Sequence, residues 1–253
     1  MAVALSVNLN KIALIRNSRE GDFPSVVEFG RLALQAGADG LTVHPRPDQR
    51  HIRPHDVADL ADLVKNHGTS EFNIEGNPFS RARGTYPGFI ALVEGVAPHQ
   101  CTLVPDTTTQ LTSDHGFDLH QDGEALAPLI EQLHRRGIRV SLFMDPYLEQ
   151  IALAKQVGAD RIELYTGPYA EAFLNNNANL DHLFDQYATA AQHATELGLG
   201  VNAGHDLNLD NLPRFGKIAG LLEVSIGHAL TVDALKMGFE AAVKAYKSLC
   251  LAQ

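Results

Sequence analysis

The stretch GLTVHPRPDQRH (40–51) sets His44, Arg46, Arg50 and His51 close together behind a short apolar run. Imidazoles relay protons near neutral pH or ligate metals, and guanidiniums grip carboxylates and phosphates. Glu75 in FNIEG and Glu163 in RIELY stand inside otherwise apolar segments, where an acid rarely stays buried without a partner or a purpose. His205 and Asp206 follow a glycine in NAGHDLN, and His228 follows Gly227 in SIGHAL. Asn8, Asn10 and Lys11 add amides and a fixed positive charge near the N-terminus.

Each residue also has a plain reading. A histidine after a strand is often a loop residue bonded to backbone. Glu163 would be a structural ion pair with a barrel Lys or Arg, Asp145 before Pro146 a cap for the next helix, and Arg50 solvated or ion-paired. Arg19 in NSRE, taken alone, reads as a solvated loop charge. What lifts the set above these readings is the order of elements that must carry it.

That order rests on a recurring phrase. LALQAGADGLTVH (32–44) and LAKQVGADRIELY (153–165) share a helix end, a glycine, a tight turn and a β-branched run. LHRRGIRVSLFMD (133–145) and ATELGLGVNAGHD (194–206) are looser versions. Glycine suits the left-handed position just past a helix. Eight short apolar runs emerge: Leu5–Asn8, Leu41–His44, Phe72–Glu75, Thr102–Pro105, Val140–Asp145, Ile162–Thr166, Gly200–Gly204 and Leu222–Gly227. Their nearly unbroken apolar character is that of strands buried on both faces of a parallel sheet. Helical patterns lie at 24–36, 56–67, 124–136, 148–157, 180–197 and 232–249, with a short one near 89–96. Strands alternating with helices over 253 residues predict an α/β protein, a (β/α)8 barrel forming one domain over 1–253. A doubly wound open sheet is the alternative, but no G-x-G-x-x-G follows the first strand.

In such barrels the chemistry sits at the C-terminal strand ends. Those ends carry Asn8, His44, Glu75, Asp145, Glu163, His205 and His228, whereas the strand starts hold no comparable set. This asymmetry points to an enzyme. The loops at 204–206 and 227–229 read as a phosphate cradle, because small residues and a helix start favour an anion.

Bulk properties narrow the class. The net charge of −10 repels nucleic acid and anionic membranes, so neither is an expected partner and any anionic ligand needs a local positive cluster. Cys101 and Cys250 form no zinc-type spacing. No signal peptide and no apolar run near the ~20 residues of a membrane span is visible, so a soluble cytoplasmic protein is expected. Two chemistries remain. Glu75, Glu163, His205 and Asp145 could ligate a divalent ion, as in metal-dependent sugar-phosphate isomerase or epimerase barrels. Alternatively, carboxylate and histidines pass protons on a carbonyl substrate while cations hold phosphates. The second is preferred, because Arg46, Arg50 and His51 suit an anion and oppose a nearby metal, and no HxH or HExxH occurs.

The segments VNLNKIALIRNSR, GADGLTVHPRPDQRHI, FNIE, LVPDTTTQLTSDHGFDL, VSLFMD, IELYTGPYA, VNAGHDL and SIGHAL, in order through nearly the whole chain, resemble the pyridoxine 5'-phosphate synthase family. The resemblance implies a (β/α)8 barrel with extra helices, assembled as a homo-octamer. It implies condensation of 3-amino-2-oxopropyl phosphate with 1-deoxy-D-xylulose 5-phosphate to pyridoxine 5'-phosphate, phosphate and water, without metal or organic cofactor. By motif, His44, Glu75 and His205 would be acid–base residues and Glu163 a supporting glutamate. Arg46, His51 and Thr112 would hold the deoxyxylulose phosphate. Asn8, Arg19, Asp206, Gly227 and His228 would hold the amino-ketone phosphate. Three departures stand out: Asn10-Lys11 replaces the family's Asp-His, Gly76-Asn77-Pro78 opens an unusually long loop (76–89), and Asp206 replaces a more usual glycine.

Overall fold

A computed structural model describes residues 2–252. Eight parallel strands close into a barrel in sequence order. They are β1 (Ala4–Asn8), β2 (Gly40–Val43), β3 (Glu71–Gly76), β4 (Gln100–Leu103), β5 (Arg139–Met144), β6 (Arg161–Tyr165), β7 (Gly200–Gly204) and β8 (Leu221–Ile226). The connecting helices are α1 (Asn10–Asn17), α2 (Val26–Gln35), α3 (Pro54–His67), α4 (Phe89–Val96), α5 (Leu119–His134), α6 (Leu148–Gln156), α7 (Gly167–Leu174), α8 (Leu180–Glu196), α9 (Leu212–Phe215), α10 (His228–Met237) and α11 (Phe239–Leu251). The chain is a (β/α)8 barrel. No helix among the described residues is long and apolar enough to cross a membrane.

The repeated phrase has a physical basis. Gly37, Gly137, Gly158 and Gly198 all take left-handed φ values, from 74 to 102°, so each helix ends where a side chain would be strained. In both GAD turns the aspartate then bridges strands. The Asp39 carboxylate accepts from the Leu5 N–H at 2.7 Å, and its carbonyl accepts from the Glu71 N–H. Asp160 repeats this with Val140, at 2.8 Å, and Gly200. The repeat therefore sets strand register as well as ending helices.

The barrel interior differs from the expected apolar character. Side chains alternate along every strand. The outward series, including Leu5, Val7, Leu41, Val43, Ile74, Leu103, Leu142, Ile162 and Val224, is buried under the helices. The inward series is mostly polar, with Phe143 on β5 as an exception. Ser6 bonds Thr42 at 2.7 Å, Asn73 donates to Thr42 at 3.4 Å, and Thr102 donates to Asn73 at 3.1 Å. Short inward hydroxyls and amides hid this alternation in the sequence, where β-branched threonine reads like valine.

Several element boundaries also differ. Asn10 and Lys11 open a helix, α1, in place of a loop. The pattern at 232–249 is two helices, because Gly238 at φ 90° breaks it into α10 and α11. The carboxylate of Asp145 does not cap α6, whose preceding residue is Tyr147; it accepts the Gly116 N–H at 3.1 Å and ties the loop after β4 to β5. Helix α1 is anchored by Arg16, which is fully buried and bonded to Asp56 on α3, at 2.9 Å for Nη2, and to the His51 carbonyl. This pairing braces the loop that carries Arg46 and His51, and neither partner was singled out by the sequence.

Candidate active site

At the C-terminal mouth, β2 delivers His44 one residue past its last ladder position, and β3 delivers Glu75. His44 Nδ1 stands 3.9 Å from Glu75 Oε2. Glu75 is 8 % exposed and accepts from Asn8 Nδ2 at 3.3 Å and Ser225 Oγ at 3.5 Å. Among the described residues no Lys or Arg pairs with it. Burial pushes its carboxyl up to about 7, although the positive fields of His44 and His205 oppose the rise. A carboxyl poised there gives and takes protons near neutral pH.

Glu163, on β6, lies deeper. Its neighbours include Thr102 Oγ1, at 3.5 Å, and among the described residues no cation pairs with it, so the plain reading of a barrel ion pair is not met. Burial, with the negative charge of Glu75 added, pushes it well above the usual carboxylate range. A Cβ on Gly204 would stand 2.5 Å from Glu163 Oε1, which is why β7 ends in glycine beside this acid.

His205 follows at φ 87° and Asp206 at φ 59°, two consecutive non-glycine residues in the left-handed region. Thr166 holds the strained turn by donating its hydroxyl to the carbonyls of Gly204, at 2.7 Å, and His205. His205 Nδ1 contacts Asp206 Oδ2 at 2.9 Å, and Nε2 contacts Thr112 Oγ1 at 2.8 Å. The Tyr165 ring meets the imidazole edge-on at 5.2 Å between centroids. The Asp206 carboxyl is held below its usual value by its bond to His205, and the charges of His205, His228 and Lys11 add to this. Thus the unusual acid has the positive neighbours it requires, and Lys11, His205 and His228 converge on it.

The Asn10 Oδ1 accepts the backbone N–H of His44 at 2.9 Å, fixing the start of α1 to the reacting end of β2. Gly227 precedes α10, whose first turn has no side-chain cap, and lies so close to Asn8 that a Cβ would stand 3.0 Å from the Asn8 Cβ. His228 is exposed at the first position of α10.

The basic cluster divides. His51 packs against His44 with ring centroids 6.2 Å apart, accepts the Ile52 N–H, and is driven well below its usual pKa by burial and by the charges of His44, Arg46 and Arg50. Arg46 is buried, pairs with Asp106, and donates to the carbonyls of Gln110 at 2.8 Å and Thr107 at 3.3 Å. Arg50 pairs with Asp48 at 2.6 Å and donates to the Thr108 and Gln110 carbonyls. Both arginines therefore staple the loop after β4. Arg19 is exposed, beyond α1, and among the described residues its side chain makes no ion pair with the rest of the set.

Two residues joined the site without being singled out. Tyr165 is one. Asp106 is the other, 6 % exposed, its Oδ2 3.2 Å from His44 Nε2. Of the eight strand ends, the fourth alone received no candidate, and Asp106 stands just beyond it. A cavity of about 220 Å3 opens there, lined by His44, Arg46, Asn77, Asp106 and Thr107 among others. The loop at 76–89 forms one wall. Its Gly76 is needed because a Cβ would collide with the Phe89 ring. Among the described residues, no group of three or more His, Cys, Asp and Glu is placed to hold a metal ion.

Residues 5–252 match the family model described as pyridoxal phosphate biosynthesis protein PdxJ. The chain belongs to the PdxJ family. A pyridoxine 5'-phosphate synthase of Xanthomonas axonopodis pv. citri (strain 306) is 56 % identical over 247 residues, covering 97 % of this chain and 96 % of the relative. One from Albidiferax ferrireducens is 53 % identical over 255 residues, 100 % of this chain and 99 % of the relative. The PdxJ family is an enzyme family of pyridoxine biosynthesis, so this chain is an enzyme. Solved structures add the fold alone: the BexX/CysO complex of Amycolatopsis orientalis (TM-score 0.61, 16 % identity, 99 % of this chain and 88 % of that one) and KGPDC from Streptococcus mutans (TM-score 0.59, 13 % identity, 99 % and 98 %).

Proposed function

We propose that this chain condenses 3-amino-2-oxopropyl phosphate with 1-deoxy-D-xylulose 5-phosphate to pyridoxine 5'-phosphate, phosphate and water, by acid–base catalysis without a metal or organic cofactor. The observation that carries the reading is the pair at the barrel mouth: Glu75, without a cation partner and raised to about 7, beside His44. Family membership supports the reading, because the relatives above are named for making pyridoxine 5'-phosphate.

Amine and ketone join as an imine, which acidifies the neighbouring carbon. Glu75 removes that proton, since a desolvated carboxylate is a stronger base than one in water. His44 passes protons during imine formation and dehydration, and His205 protonates a departing oxygen. Glu163, whose carboxyl burial pushes well above the usual range, supports its neighbours from below. Arg46, His51 and Thr112, with Asn10 and Lys11, serve the sugar phosphate; Asn8, Arg19, Asp206, Gly227 and His228 serve the amino-ketone phosphate. The uncapped start of α10 suits that second phosphate, because its free N–H groups need acceptors. The enzyme works in the cytoplasm as a homo-octamer of single-domain barrels spanning 1–253.

The test is to supply both phosphorylated substrates and follow the aromatic product by absorbance, with and without a chelator. Product formation insensitive to the chelator is expected. No product at high enzyme concentration overturns the reaction, and turnover that needs a divalent ion overturns the metal-free mechanism in favour of an isomerase-like metal site.

A further inference from the structure

We propose that Asp106 is a positioning residue for His44, and that it links the orientation of this imidazole to the occupancy of the Arg46 anion site; this rests on the acid–base reading above. His44 has a carboxylate at each ring nitrogen: Asp106 Oδ2 3.2 Å from Nε2 and Glu75 Oε2 3.9 Å from Nδ1. A neutral imidazole has one N–H to place. The two carboxylates are not equivalent claimants. Burial would raise Asp106, yet the His44 imidazole beside it and the charges of Arg46 and Arg50 hold it below its usual value, whereas Glu75 is raised. Asp106 Oδ2 is buried, nearer and, among the described residues, without a hydrogen-bond partner outside its ion pairs, so the Nε2–H tautomer, turned toward Asp106, satisfies it and leaves the Nδ1 lone pair to Glu75 and the reacting centre. This is the role a buried carboxylate plays behind a catalytic histidine in general.

The same Asp106 oxygen also pairs with Arg46. The Asp106 backbone is held from behind, because Asn77 Nδ2 donates to its main-chain carbonyl at 2.7 Å. An incoming phosphate at Arg46 competes with Asp106 for the guanidinium. Its arrival loosens that pair and leaves Asp106 to His44 alone, so binding the anion strengthens the hold on the base. The cavity lined by His44, Arg46 and Asp106 gives the anion its approach. Among the described residues, the other charged or titratable groups facing this cluster include His51, Arg50, Asp48 and Tyr86.

Two variants and one spectrum test this. Wild type is assayed first for pyridoxine phosphate; failure there sinks the functional reading and leaves the spectroscopic arm to judge Asp106. For Asp106→Asn we expect kcat to fall about 10- to 100-fold. KM for the sugar phosphate should stay level or fall, since Arg46 loses its internal competitor. The kcat/KM profile should move to lower pH, because the Asp106 charge contributes to the rise of Glu75. Asp106→Glu should recover most of kcat. By 15N NMR, His44 should show the Nε2–H tautomer in wild type and a mixture in Asp106→Asn. Inorganic phosphate should shift the His44 signals in wild type, a measurement that needs no variant to fold. An unchanged kcat, profile and tautomer in Asp106→Asn, or no response of His44 to phosphate, would overturn the proposal.

Discussion

Glu71 and Glu75 both lie on the inward side of β3, and they behave oppositely. Glu71, at the N-terminal end, is bidentate with Arg139, which brings it below its usual value against the effect of partial burial. Glu75, at the C-terminal end, has a histidine, an amide and a hydroxyl around it and is raised to about 7. The contrast recurs on β6, where Arg161 at the N-terminal end pairs with Glu223 at 3.1 Å while Glu163 further along has no cation. Pairing at the N-terminal end is not complete compensation: burial still raises Glu223 and lowers Arg161. The lesson is that one end of the barrel spends its charges on each other, and the other leaves carboxyls unneutralised and therefore able to move protons.

The comparison breaks most readily at Glu75. Glu75→Gln keeps the shape and removes the proton acceptor, so steady-state product formation should fall about 10²- to 10⁴-fold. A loss under about tenfold would place the base elsewhere. At the opposite end, Arg161→Met removes one partner of a buried pair and strands Glu223; urea unfolding should show a loss of about 3 kcal/mol. Turnover per folded molecule should hold within about twofold, since the pair is not at the reacting face. The smallest effect is in pH dependence. Glu75 ionises near 4.5 unfolded and about 7 folded, so its contribution to stability is full below the lower value and is lost as pH rises through the upper. Between about pH 5 and pH 8, wild type should lose about 1–3 kcal/mol more than Glu75→Gln in urea midpoints, and parallel curves would show that Glu75 is not raised.

By itself the sequence determined the barrel, the ends of its strands, and which face would carry chemistry. Those follow from local rules: glycines that stop helices, β-branched runs that form strands, and the direction of a parallel sheet. It also showed Glu75, Glu163, His44 and His205 as residues out of keeping with their segments. It could not show that the inward side chains are mostly polar, because Ser6, Thr42 and Thr102 take meaning only when the sheet closes and they meet. Nor could it show that Asn10 holds the His44 backbone, that Arg16 and Asp56 brace the phosphate-side loop, or that Arg46 is already paired with Asp106. These contacts join residues more than thirty positions apart. Whether a charge is neutralised, and so whether a carboxyl is a salt-bridge anchor or a base, depends on such partners and on depth from water. Both are properties of the closed barrel and not of any segment in it.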